Sequence, residues 1–218
     1  MVIWVIVRWI HEASSPLNLT HKVSFTQQLS LQGLGLRIHP IKNKYIKVVH
    51  LLAVPEGYFK LNVDGASRGN PGPCGGGGII RDGRNGLISA FSNIYGSDSN
   101  LVAEAMALLD GLHLLVALNL EKIMVELDSK LMIDILNSIC AAPWKLWFWL
   151  SQVQELRNRL NFFCVHIYRE ANQPADALAK LGCLESQKTI YDCTDTLSSH
   201  VQHLITADGL GLSFLRIR

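Results

Sequence analysis

Four carboxylates are spaced through the middle of the chain: Asp64, Glu104, Asp128 and Asp176. Asp64 follows the run FKLNVD, in which Phe59, Leu61 and Val63 share one face of a strand. Asp128 closes a second alternating run, KIMVELD. Glu104 falls in the first turn expected for a long apolar helix, and Asp176 opens the helix that ends on Gly182. Singly, each has an ordinary explanation. Acidic groups in a first helical turn are favoured by the helix dipole, and Asp128 before Ser129 reads equally as a helix cap. Two features point further. Glu104 is embedded in LVAEAMALL, where an unpaired charge is costly. Asp64 and Asp128 both end apolar strands, the place where open α/β sheets hold ligands. Converging carboxylates repel one another unless cations neutralise them, and an all-oxygen set selects a hard ion, Mg2+ or Mn2+.

The elements that must position these groups follow from periodicity and turn chemistry. Strands are expected over residues 59–66, 74–81 and 87–95, the last two joined by RDGRNG with its Asp-Gly and Asn-Gly turn signals. A helix over 101–118 follows, then a strand over 122–128 and a short helix over 129–138. A tryptophan-rich helix over 144–160, a strand over 162–169 and a helix over 172–182 complete the pattern. Gly182 is the natural left-handed C-cap of that last helix. The fold class is therefore α/β: a five-stranded mixed sheet, three antiparallel strands then parallel ones, flanked by helices. The second strand carries four consecutive glycines, poor β composition that persists where another backbone, or a ligand backbone, approaches closely. No Gly-Lys-Ser/Thr follows them, which excludes a phosphate-binding P-loop. Trp144, Trp147 and Trp149 could stack on bases, but their density beside Leu146, Phe148 and Leu150 assigns them to helix packing.

The chain of 218 residues is 49% hydrophobic and 17% charged, a globular composition. Three segments emerge: a leader or linker over 1–55, a folded domain over 56–183, and a C-terminal tail over 184–218 without clear period. Residues 1–58 carry six Lys/Arg against two acids, whereas 59–183 carry eleven against twelve. The expected core thus has no basic excess, so nucleic-acid binding should be modest and salt-sensitive. Five widely spaced cysteines, an odd number with no CxxC, argue against a disulfide framework and for a reducing compartment. The apolar start MVIWVIVRWI is short, broken by Arg8 and lacks a basic lead-in, which argues against a membrane span and against secretion. An intracellular protein, nuclear or cytoplasmic, is expected. His200 and His203, three apart in the tail, have no acidic or thiolate neighbour in sequence and read as polar tail residues.

The set NVDGASRGNPGPCGGGGIIRD, AEAMALLDGL, VELDSK and REANQPADALAKLG, in that order, resembles the type 1 ribonuclease H family, and within it the plant, retroelement-related branch. The resemblance covers roughly residues 56–183. It implies a ribonuclease H-like fold and a monomeric endonuclease that cleaves the RNA strand of RNA–DNA hybrids, leaving 5′-phosphate and 3′-hydroxyl ends. It makes Asp64, Glu104, Asp128 and Asp176 both catalytic and metal-binding, with two ions (Mg2+, Mn2+ as substitute) about 4 Å apart in an in-line displacement. It also implies nucleic-acid contacts from Gly65, Ser67, Asn70, Gly75, Gly76, Arg169 and Asn172, the glycine-rich strand lining the hybrid's minor groove. Glu104 could accept a hydrogen bond from a ribose 2′-OH. Two departures stand out. The loop histidine of many relatives is missing: His166 belongs by alternation inside a strand, and Arg169 at the strand end is better placed to touch a phosphate. Arg169 reads equally as a partner of Glu170 or Asp176. The basic segment with which some relatives grip the hybrid is also missing, since residues 142–159 hold only Lys145, Arg157 and Arg159. Two other readings stay open: a non-catalytic nucleic-acid-binding relic of a retroelement domain, and a related exonuclease. The NxxAD spacing around Asp176 speaks against the exonuclease.

Overall fold

The computed structural model describes residues 46–49, 54–210 and 214–217. The chain divides into two compact units, Met1–Ile46 with Ile217–Arg218, and Lys47–Arg216; the candidate site lies in the second. Most of the expected leader, residues 1–55, falls outside the described residues.

The strands are β1 (Ile46–Val49), β2 (Phe59–Ser67), β3 (Gly72–Arg81), β4 (Leu87–Asp98), β5 (Ile123–Leu127), β6 (Phe162–His166), β7 (Thr189–Tyr191) and β8 (Phe214–Ile217). The helices are α1 (Asn100–Ala117), α2 (Lys130–Leu136), α3 (Trp147–Arg159), α4 (Gln173–Gly182) and α5 (Ser199–Gly209). The main sheet runs β6-β5-β2-β3-β4-β7. Strands β2, β3 and β4 form an antiparallel meander, while β5 pairs parallel to β2, and β6 parallel to β5. This is the expected mixed sheet with one strand added. Short β7 pairs antiparallel to Ala90–Ser92 of β4. Strands β1 and β8 form a separate two-stranded sheet.

Alternation along β2 and β5 separates two buried faces with different chemistry. Leu61 and Val63 join Ile123, Val125 and Leu127 in an apolar core with Leu108, Leu112 and Leu115 of α1. The opposite face carries Lys60, Asn62, Asp64, Arg81 and Glu126, all buried. Such burial is tolerated for Lys60, Asn62, Arg81 and Glu126 because these groups are paired, whereas Asp64 has no such partner among the described residues. Lys60 Nζ lies 3.3 Å from Glu126 Oε1, and Asn62 Nδ2 donates to Glu126 Oε2 at 2.7 Å. Arg81 Nη2 lies 2.9 Å from Asp208 Oδ2, contributed by α5. Lys60 and Arg81 are register partners on β2 and β3, so two cations and two carboxylates form one buried group. Burial lowers the Lys60 ammonium's pKa, and the neighbouring Arg81 adds to that, against the pull of Glu126.

The glycine run is explained by close helix approach. A Cβ on Gly75 would lie 2.4 Å from the Gly182 carbonyl carbon, and one on Gly77 would lie 2.3 Å from Ala179 N. On the other face, a Cβ on Gly76 would lie 2.4 Å from the Tyr95 ring and one on Gly78 2.4 Å from Phe91. Of the two possibilities for this strand, another backbone is the answer, that of α4. Gly182 serves the same packing, since its Cβ would lie 2.5 Å from Asn93 O. It is not the expected left-handed cap: Cys183 caps α4 with ordinary right-handed geometry, φ −67.

Two further expectations are corrected. Trp144, Trp147 and Phe148 are 72%, 65% and 69% exposed, while Trp149 packs against the core. The 3-10 turn Trp144–Leu146 turns Leu146 inward and leaves these neighbouring rings outside. The stretch after residue 183 is not a featureless tail. Tyr191, Leu197, Val201 and Ile205 pack with Ile79, Ala90 and Leu178 in a second core, and His200 and His203 lie on the exposed side of α5.

Candidate active site

Gly65 sets the geometry of the site. A Cβ there would lie 2.1 Å from Glu104 N, so its absence lets α1 settle directly on the end of β2. That brings Glu104 to Asp64. Helix α1 starts at Asn100, so Glu104 stands beyond the first turn and no acidic residue occupies that turn. The helix-dipole explanation for Glu104 therefore falls. Asp128 follows β5, whose parallel pairing places it beside the end of β2. The cap of α2 is Ser129, whose side chain accepts from Met132 N at 3.4 Å, so Asp128 is left over for the cleft.

Carboxylate oxygens of Asp64, Glu104 and Asp128 lie within 4.8 Å of one another. Asp64 and Glu104 are each only 4% exposed, and Glu104 Oε2 has no hydrogen-bond partner. Burial pushes the Asp64 carboxyl well above its ordinary range, and the charges of Asp128 and Asp176 push it further. Glu104 is raised in the same way, by burial and then by Asp64 and Asp128. Asp128 is raised by burial, with Arg169 opposing. Asp176 differs. Burial would raise it, but hydrogen bonds from Lys180 and Arg169 outweigh this and hold it below the usual range. Arg169 Nη2 reaches Asp176 Oδ1 at 2.6 Å, which settles its partner among the alternatives; Lys180 takes the other oxygen.

The four carboxylates thus form a triad plus one. Asp176 sits beside the triad, near enough for its charge to raise the Asp64 carboxyl. A cleft of about 580 Å3 opens here, lined among others by Asp64, Glu104, Asp128, Gly65, Ser67 and Arg169. Three of the expected nucleic-acid contacts, Gly65, Ser67 and Arg169, are therefore at the site. Asn70 is exposed but not in the lining, and its Oδ1 accepts from Asn100 N at the start of α1. Gly75, Gly76 and Asn172 are buried and do not line the cleft. Asn172 Nδ2 donates to Val63 O at 2.9 Å and ties the turn before α4 to β2, so it positions Asp176 rather than touching a ligand. His166 ends β6 as a strand residue, its ring edge-on to Tyr168. The sequence reading missed Arg68 and Lys180 in the cleft wall. Lys180 was legible, since it follows Asp176 by four residues on a helix.

Residues 62–182, more than half of the chain, match the family model described as reverse transcriptase-like. The chain belongs to the ribonuclease H family. An Arabidopsis thaliana protein named for ribonuclease H is 31% identical over 156 residues, 71% of this chain. The chain spans only 25% of that relative's length. The RNase H1 of the archaeon Halobacterium salinarum superposes with a TM-score of 0.56 at 29% identity, over 58% of this chain and 97% of its own. LC11-RNase H1, solved in complex with an RNA/DNA hybrid, gives 0.55 at 28% identity, over 57% of this chain and 96% of its own. The antiparallel-then-parallel sheet with flanking helices is the fold of this family.

Proposed function

We propose that the protein is a metal-dependent endonuclease that hydrolyses the RNA strand of RNA–DNA hybrids. The observation that carries this reading is the buried triad, three carboxylates within 4.8 Å in an open cleft. A metal fits the site. Raised carboxyls in mutual repulsion, and an orphaned Glu104 oxygen, are what a divalent cation would relieve. Asp64, Glu104 and Asp128 would hold it, with Asp176 at the edge for a second ion. Bound Mg2+ or Mn2+, two ions in the family's manner, would supply charge neutralisation, an activated water and stabilisation of the leaving 3′-oxygen.

The chain's own residues do the rest. Asp64, held within β2 and paired there to Gly77 of β3, would fix where the cation lies and so, through it, the scissile phosphate. Glu104, fixed by the α1 backbone against Gly65, could accept a hydrogen bond from a ribose 2′-OH, the group that separates RNA from DNA. Arg68, Arg169 and Lys180 line the cleft as the cations available to phosphates. The five cysteines are free thiols, which suits a reducing, intracellular setting.

The test is cleavage of a labelled RNA–DNA hybrid with Mg2+, with Mn2+ and with EDTA, beside Asp64→Asn. Cutting should require metal and fall about a thousandfold or more in the variant, as several kcal/mol of charge stabilisation is lost. An intact RNA strand in both metals would overturn the reading. One observation favours a second possibility, a domain that binds hybrids without cutting. Asp176 is already neutralised by Arg169 and Lys180, which compete with a second ion. Salt-sensitive hybrid binding without cleavage would establish it.

A further inference from the structure

A second cavity of about 380 Å3 lies between α4 and α5. Lys180 and Leu184 line both this cavity and the carboxylate cleft, so the two are neighbours across these side chains. Its volume falls in the range of small-ligand sites, about 300–1,000 Å3. Ala177 and Leu181 on α4, with Val201 and Leu204 on α5, give it an apolar floor. His200 stands on its rim, exposed and without a protein partner among the described residues. Lys180 has three ammonium donors, of which Asp176 engages one. Asp176 also lines the cavity, but Arg169 and Lys180 balance its charge. The α5 wall lies outside residues 62–182, so the family match says nothing of it.

We propose that this cleft is a nucleotide subsite, in which His200 and Lys180 hold the phosphate of the residue adjoining the cleaved bond. It rests on the nuclease reading for its place in the reaction, but not for its ligand. A strand crossing the carboxylates runs past Lys180 into the cavity. There the apolar floor takes a sugar or base face, and the Lys180 ammonium and a His200 ring N–H take the phosphate. The aliphatic floor makes no base-edge hydrogen bonds; Gln173 and Ser198 on the lining are the neutral polar side chains within the cavity that can make them.

The test begins with the metal-free full chain, titrated with AMP, inorganic phosphate or adenosine while the His200 ring is followed by NMR. The His200 signal reports the second cleft alone, because His200 lines that cavity and not the carboxylate cleft, where Arg68 and Arg169 could also take a phosphate. AMP should shift His200 most, inorganic phosphate less and adenosine least. His200→Ala should weaken AMP binding about tenfold, the value of a charge-assisted hydrogen bond, whereas His200→Arg should stay within about twofold. Neither variant should change the melting temperature, because His200 is exposed. On hybrid substrate, His200→Ala should raise KM by a similar factor and leave kcat within about twofold. Unmoved His200 signals, or equal AMP affinity in His200→Ala, would overturn the subsite. A response to inorganic phosphate equal to that of AMP would reduce it to a bare anion site and overturn the nucleotide assignment. AMP binding by a chain that cuts no hybrid would sink the nuclease reading and leave the subsite standing.

Discussion

Asp64 and Glu104 hold their protons to higher pH in the folded chain than in the unfolded one, through burial and mutual repulsion. Above the unfolded carboxylate range, near pH 4, the folded state therefore binds more protons, and stability falls as pH rises through the folded values. Asp176, with its lowered carboxyl, acts in the opposite sense, but its window lies below about pH 4. Metal-free protein should accordingly melt higher at about pH 5.5 than at about pH 7.5, and saturating Mg2+ should shrink that difference. Asp64→Asn should flatten the same profile, which thermal melts with and without EDTA would read directly. Gly65→Ala acts through shape instead. Its methyl would collide with Glu104 N, costing about 3 kcal/mol or more and parting Glu104 from Asp64, as urea denaturation and Mn2+ titration would show. At this scale the sequence was most informative where a side chain has one plausible use. A carboxylate within an apolar run, or at the end of an alternating strand, was legible. Asn172 and the glycines were misread because a motif names residues without saying which way they face. Only packing shows that Asn172 faces Val63 and Gly77 faces Ala179.

Strands β1, β7 and β8 and helix α5 escaped the sequence reading, and all but β1 follow residue 183. Strand β7 has three residues and α5 eleven, too short for either period to rise above its surroundings. Their contribution is nonetheless specific. Asp208 on α5 is the partner of fully buried Arg81. Asp208→Ala should cost about 3–5 kcal/mol, because it leaves a buried guanidinium uncompensated beside Lys60. Replacing both, Arg81→Met with Asp208→Leu, should restore most of that loss in urea denaturation. The turn before α3 shows the reverse error. Its apolar composition suggested core, but Trp144 and Trp147 face solvent. Trp144→Ala with Trp147→Ala should change stability by no more than about 0.5 kcal/mol per site, and iodide quenching of the parent should reach both rings.

Across the whole molecule, cationic side chains at the cleft are few: Arg68, Arg169 and Lys180. If these supply the phosphate contacts, the logarithm of hybrid affinity should fall with log salt with a slope no steeper than about −3. Anisotropy titrations of Asp64→Asn with labelled hybrid would measure it, and a steeper slope would implicate the basic stretch before residue 59. The last feature concerns β4, twelve residues long, whose outer rim is occupied at Ala90–Ser92 by β7. Without β7, that rim would present unpaired amides and carbonyls to any other extended chain, an invitation to intermolecular pairing. A fragment ending with the family match at residue 182 would retain all four carboxylates yet expose this template. Such a fragment, which also loses α5 and the Asp208 partner of Arg81, should cloud solutions and form β-rich aggregates that the longer chain does not, so that the segment after residue 182 acts as a guard on solubility.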